Sequence, residues 1–157
     1  MALESTASST PPTQLHFARA RGEDLSEIEA MLSSAGLPTA DVREHLAEFL
    51  VARFHSSLVG VAAVQSMGEH AFLRSVCVAE SHRGRGIASA LCERLLDQAR
   101  MAGAREAHLL TMTASVFFKN RGFVQRDRSL APPQVQNTAQ FRSLCPASAV
   151  YMNKKLA

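Results

Sequence analysis

The chain has 157 residues, 46% of them apolar, and a net charge of +3 from 17 Lys and Arg against 14 Asp and Glu, the balance of an ordinary globular domain. A single domain of this length buries roughly 70% of its unfolded surface and needs no disulfides, so Cys77, Cys92 and Cys145, with no secretory signal ahead of them, read as reduced thiols of a cytoplasmic protein. No apolar run approaches the ~20 residues that span a bilayer, and the scattered basic residues, the lack of Trp and a single Tyr near the C-terminus argue against nucleic acid as well as membrane.

Residues 1–12, rich in Ser, Thr and Pro, read as an unstructured tail ahead of one domain over residues 13–157. Alternation over residues 13–20 predicts a half-buried strand. Leu25, Ile28, Leu32 and Ala35 fall at helical spacing, with Gly36 as the stop. After Pro38, a second helix capped by Thr39 or Asp41 would carry Val42, Leu46 and Phe49 inward. Residues 49–54 and 58–64 read as a hairpin, and residues 71–78 as a third strand that Arg74 and Ser75 interrupt. A helix over residues 87–100 places Ile87, Leu91, Leu95 and Ala99 on one face. Then come a strand at 107–111, a two-turn helix at 114–120, a strand at 123–125, a helix from Pro133 through Gln140, and a last strand at 149–152. The order implies an α+β fold with a mixed sheet.

The most informative stretch is S-V-C-V-A-E-S-H-R-G-R-G-I-A-S-A-L, residues 75–91, where a strand feeds a two-glycine loop that opens directly into a helix. Glycines let backbone N–H groups approach a ligand, and the free donors at a helix N-terminus favour phosphate. Arg83 and Arg85 add positive charge; the plainer reading is a solvated turn. A nucleoside triphosphate loop would need Lys-Ser/Thr after Gly86, where Ile87-Ala88 stands. The third position of a dinucleotide fingerprint would need Gly or Ala, where Ser89 stands.

The segment resembles the acyl-CoA loop of the GNAT acetyltransferases: the pattern Arg/Gln-x-x-Gly-x-Gly/Ala is met by Arg83, Gly86 and Ala88. A-S-V-F-F-K-N-R-G-F, residues 114–123, resembles that family's Ala-x-x-Phe-Tyr-x-x-x-Gly-Phe signature. The resemblance implies the GNAT acyl-CoA N-acyltransferase fold, a splayed mixed sheet flanked by helices. It implies acetyl-CoA as co-substrate, with the pantetheine arm along Val76, Cys77 and Val78 and the pyrophosphate at Arg83, Gly84, Arg85, Gly86, Ile87, Ala88 and Ser89. Thr111, where the family often has Asn, and Phe118, where it has the Tyr that protonates the departing thiolate, belong to the same cofactor site. G-L-P-T-A-D-V-R-E-H-L, F-L-R-S-V-C-V-A and A-Q-F-R-S-L-C-P-A-S-A resemble a GNAT subgroup linked to arsenic-resistance operons.

On this reading an amine attacks the thioester directly. Because Phe cannot donate a proton, Tyr151, Cys145, Thr113 and water are the candidate donors, and Tyr151 and Cys145 are carried as the catalytic pair. Arg74, Ser75 and Arg142 are carried as substrate residues, since a guanidinium grips a carboxylate in a two-pronged way; Arg74 could instead pair with Glu44 or Glu69. Simple alternation puts Cys77 on one face with Leu73 and Ser75, as packing. His82 reads as solvated beside the phosphates and His108 as a half-buried strand residue. No His or Cys pair has metal-ligand spacing, so no metal is expected. The predicted function is acetylation of a small, amino-acid-like or toxic amine in a pocket walled by the second helix and the helix after Pro133. A CoA-binding sensor and a protein N-acetyltransferase are the alternatives, and a homodimer is compatible with any of them.

Overall fold

The computed structural model describes residues 15–156. The tail expected over residues 1–12 and the first two residues of the expected first strand lie outside the described residues. Strands β1 (Leu15–Arg19), β2 (Phe49–Phe54), β3 (Ser57–Met67), β4 (His70–Val78), β5 (Glu106–Thr111), β6 (Val124–Arg126) and β7 (Val150–Lys155) form one sheet in the order β1-β2-β3-β4-β5-β7-β6. Every pairing is antiparallel except β4 with β5. Helices α1 (Leu25–Ser34), α2 (Ile87–Met101), α3 (Ser115–Lys119) and α4 (Pro133–Gln136) cover the faces, which bears out the mixed α+β sheet.

Each face is covered for a reason visible in the residues. Leu25, Ile28 and Leu32 line one stripe of α1 and pack on Val51, Val61 and Ala63. Ile87, Leu91, Leu95 and Ala99 do the same for α2, on the opposite face, against Val59, Ala62, Val64 and Leu73. α2 lies close because residue 60 is glycine: a Cβ there would come within 2.9 Å of Ile87 Cγ2 and 3.1 Å of Leu91 Cδ1.

Two expected helices do not form as read. Residues 39–49 give turns and a single 3-10 turn, Leu46–Glu48. The spacing of Val42, Leu46 and Phe49 mimics a helix, but Phe49 opens β2 and pairs with Ala63 in the sheet, and Asp41 is buried as the partner of Arg74 instead of capping a helix. The helix from Pro133 stops at Gln136, and a π-type turn, Gln140–Leu144, follows. Thr138 explains the break: its hydroxyl donates to Val135 O at 2.8 Å and accepts from Phe141 N–H at 3.2 Å, diverting the backbone ladder.

A bulge in β4 changes which side chains face which way. Ala63 pairs with Arg74 but Val61 with Cys77, and Ser75 between them has φ 58°. The extra residue reverses the alternation. Cys77 therefore packs under α1, on the face of Arg74, while Leu73 packs under α2. This corrects the simple alternation, which put Cys77 with Leu73 and Ser75.

Candidate active site

β4 and β5 pair only at His70, Ala71 and Phe72, opposite Glu106, Ala107 and His108. Beyond Phe72 the strands part, and a cleft of about 630 Å³ opens at the C-terminal end of β4. Its walls are Val76, Cys77 and Val78; His82, Arg83, Gly84 and Gly86 of the loop; Ile87, Ala88 and Ser89 of α2; and Thr113, Ala114, Phe117, Phe118 and Arg121 around α3.

The backbone of β4 is oriented for binding. Ala79 N–H donates to Val59 O at 2.8 Å, and in an antiparallel ladder alternate residues face the same neighbour. Cys77 is thus committed to β3, while the peptide groups of Val76 and Val78 face the gap, where no strand pairs with them. Consistently, Val78 O accepts from Arg83 Nε at 3.0 Å.

At the other wall, Gly84 and Gly86 adopt left-handed φ values of 78° and 82°, a conformation that glycine takes without penalty. Gly86 caps α2, and Ala90 N–H is bonded to Gly86 O at 3.0 Å. The N–H groups of Ile87, Ala88 and Ser89 precede it and have no carbonyl within the helix, so the helix end offers donors and positive potential to an anion. Arg121 closes the side: Nε and Nη2 donate to Ser89 Oγ, Nη1 donates to Phe117 O at 3.0 Å, and its guanidinium lies 3.7 Å from the Phe117 ring centroid.

Of the cofactor residues expected from sequence, the cleft gathers Val76, Cys77, Val78, Arg83, Gly84, Gly86, Ile87, Ala88, Ser89 and Phe118. Arg85 is exposed outside the lining. Thr111 is also outside it, because its Oγ1 accepts from Ala114 N–H at 3.0 Å and caps the turn into α3. His82, read from sequence as lying beside the phosphates, and Thr113, one of the candidate donors, also line the cleft; sequence reasoning missed Ala114, Phe117 and Arg121. The signal for Arg121 was present: it stands four residues after Phe117 in the 114–123 motif, in the turn that leaves α3.

The expected substrate and catalytic residues fall elsewhere. Arg74 does not meet Glu44 or Glu69. Its Nη1 and Nη2 donate to the two carboxylate oxygens of Asp41 at 2.6 and 2.8 Å, and its Nε donates to Ser75 Oγ at 2.9 Å. Burial pushes the Asp41 carboxyl up, but the Arg74 hydrogen bonds and charge outweigh it and hold the pKa below the ordinary value. The free guanidinium expected of Arg74 is therefore replaced by a buried ion pair. Arg142 is exposed on the π-type turn.

Tyr151 and Cys145 do not line the cleft. The Tyr151 hydroxyl is 2.7 Å from His108 Nδ1, and burial pushes its pKa up to about 12. His108 is fully buried rather than half-buried; burial, with His70 beside it, pushes its ring down to about 4. Cys145 Sγ donates to Gln140 Oε1 at 3.2 Å. Burial raises the thiol pKa of Cys77 and Cys145, and takes Cys92 to about 12. All three sulfurs are held as thiols, which are poor nucleophiles.

A strand whose peptide groups face a gap, beside a glycine loop that caps a helix, is the arrangement the sequence motifs imply. A family model described as acetyltransferase (GNAT) domain matches residues 45–125, from the turn before β2 into β6. The chain belongs to the GNAT family. An uncharacterized N-acetyltransferase of Chlorobaculum tepidum is 27% identical over 96 residues, covering 60% of this chain and 61% of that protein; this GNAT chain thus spans under two thirds of its curated relative's length. Among solved structures, N-acetylglutamate synthase from Neisseria gonorrhoeae, complexed with coenzyme A and N-acetyl-glutamate, superposes with TM-score 0.79 at 18% identity over 91% of this chain and 35% of that one. A Mycobacterium tuberculosis protein in complex with CoA gives 0.77 at 22% identity over 90% and 99%. A GNAT-family acetyltransferase from Staphylococcus aureus gives 0.70 at 14% over 91% and 99%. These likenesses establish the GNAT fold. No helix among the described residues is long and apolar enough to cross a membrane.

Proposed function

We propose that this GNAT domain transfers the acetyl group of acetyl-CoA directly to the amine of a small molecule. The observation that carries the reading is the unpaired edge of β4 at Val76 and Val78, facing the same cleft as the free amides at the start of α2. The first suits an extended, amide-bearing arm and the second a pyrophosphate. Acetyl-CoA, when bound, supplies a thioester carbonyl open to attack. Fixed backbone N–H groups at the β4 bulge suit the oxyanion of such a reaction, since they need no reorganisation as charge develops.

The three protonated thiols favour direct attack over an acyl-cysteine intermediate. Phe118, packed edge-on against Phe117 and Phe123, has no proton to give, but a thiol of pKa about 8.5 leaves adequately near neutral pH. A small acceptor is favoured by the segment from Ala131 onward: Ala131, Val135 and Phe141 pack on Phe72 and Tyr151, covering the sheet face beside the gap. The finer reading, an amino-acid-like or toxic amine, draws on the resemblance to the arsenic-linked subgroup and on exposed Arg142 at that segment.

The test is release of free CoA thiol from acetyl-CoA across a panel of amines and peptides. Turnover with a small amine is the expected result. Binding without turnover on any acceptor would replace the proposal with a CoA-sensing module, the reading that Phe118 favours, and a preference for peptides would replace it with protein acetylation.

A further inference from the structure

At the closed end of the β4–β5 pair, away from the cleft, three ligating side chains converge. His70 pairs with Glu106 across the two strands, and His108 follows two residues on, its ring on the same face as Tyr151. His70 Nδ1 lies 2.9 Å from His108 Nε2, and Glu106 Oε1 lies 3.7 and 3.8 Å from those same two nitrogens. We propose that His70, His108 and Glu106 form a structural binding site for a borderline divalent cation, Zn2+ in the first instance.

The geometry favours a cation over a set of hydrogen bonds. A ring N–H accounts for the 2.9 Å edge of this triangle, but the two edges to Glu106 Oε1 are too long for hydrogen bonds. A cation in the plane of the three atoms and equidistant from them would sit about 2.0 Å from each, the usual length of Zn–N and Zn–O bonds. Two imidazoles and one carboxylate are a donor set that suits zinc rather than Mg2+ or Ca2+.

The outer groups are those a metal site requires. The second nitrogen of His108 is held by the Tyr151 hydroxyl at 2.7 Å, and the second oxygen of Glu106 accepts from Asn153 Nδ2 at 3.1 Å. Such partners orient metal ligands and raise their basicity. His108 is fully buried, whereas His70 and Glu106 keep side-chain exposures of 20% and 27%, which leaves a way in for the ion and room for a water as fourth ligand. A bound cation would clamp β4 to β5 where they pair, leaving the cleft free.

The experiment uses the full chain, stripped with chelator and titrated with Zn2+ by calorimetry and thermal unfolding, with Mg2+ as the control. One equivalent of Zn2+ should bind, and at a hundredfold excess over its Kd the melting temperature should rise by about 5–10 °C. Mg2+ should do neither, and Co2+ should give the intense visible absorption of a low-coordinate site. His70→Ala and the near-isosteric Glu106→Gln, both at partly exposed positions, should each weaken Zn2+ binding at least about a hundredfold, as loss of an inner ligand exceeds the 10–100-fold cost of an outer one. Absence of Zn2+ binding in the parent chain, or equal binding in both variants, would overturn the assignment.

Discussion

Asp41→Asn tests the buried ion pair that takes the place of the substrate clamp. The substitution keeps the shape of residue 41 and removes its charge, leaving the Arg74 guanidinium, with a side-chain exposure of 1%, without a counter-ion. Breaking one side of a buried pair costs about 3–5 kcal/mol. For a chain of this length each kcal/mol moves the melting temperature by about 2–4 °C, so the variant should melt about 6–20 °C below the parent, by circular dichroism. The double variant Asp41→Leu/Arg74→Met should recover most of that loss, because a well-packed apolar pair of similar volume is often as stable as the ions it replaces. The pH dependence has a definite sign. Asp41 titrates below its unfolded value of 3.8, so the unfolded chain binds more protons in that interval and stability rises with pH there. The contribution is fully present above the unfolded pKa and is lost as the pH falls through the depressed one; in Asp41→Asn that step disappears. A loss under about 1 kcal/mol, the scale of exposed pairs, would refute the reasoning.

Gly86→Glu should abolish acetyl-CoA binding in calorimetry, because it places a side chain at φ 82° and a carboxylate among donors that await an anion; unchanged affinity would remove the loop as the phosphate site. Arg121→Ala should weaken acetyl-CoA binding about tenfold, the worth of roughly one charge-assisted hydrogen bond, and an unaltered Kd would assign Arg121 to packing against Phe117 alone. Gly60→Ala should destabilise the fold by about 1–3 kcal/mol in urea denaturation, since the new methyl meets Ile87 and Leu91 at 2.9 and 3.1 Å; an unchanged midpoint would mean that α2 can shift to make room.

The elements that announced themselves in sequence were those whose side chains repeat along a single face. α1 and α2 carry their buried residues at helical spacing, so periodicity found them, and β5 and β7 each hold a short apolar stretch, Leu109-Leu110 and Val150-Tyr151-Met152, that marked a strand. The cofactor loop was legible because its chemistry is local: glycines and a helix start adjoin in the chain. Pairings across many residues left no local trace. Asp41 looked like a helix cap, and nothing in its neighbours marks it as the partner of Arg74. His70 and His108 stand on different strands, so ligand-spacing rules could not join them. The bulge at Ser75 was equally silent, since a non-glycine residue at φ 58° leaves no mark in an otherwise strand-like run.

The short β4–β5 ladder divides the sheet into two mechanical lobes. β1–β4 form one continuous antiparallel meander, and α2 rides on it; β5–β7 form the other, with α3 beside β6. The cleft takes one wall from each lobe, and across it Arg121 reaches Ser89. Spreading the lobes would bend a ladder of three residue pairs, break the His70–His108 and Arg121–Ser89 side-chain bonds and part the core that Leu73 and Leu91 share with Leu109 and Met152, leaving the main-chain bonds within each lobe intact. Amide exchange should report this as coupled opening along the β4–β5 seam, faster than exchange at the centre of the meander.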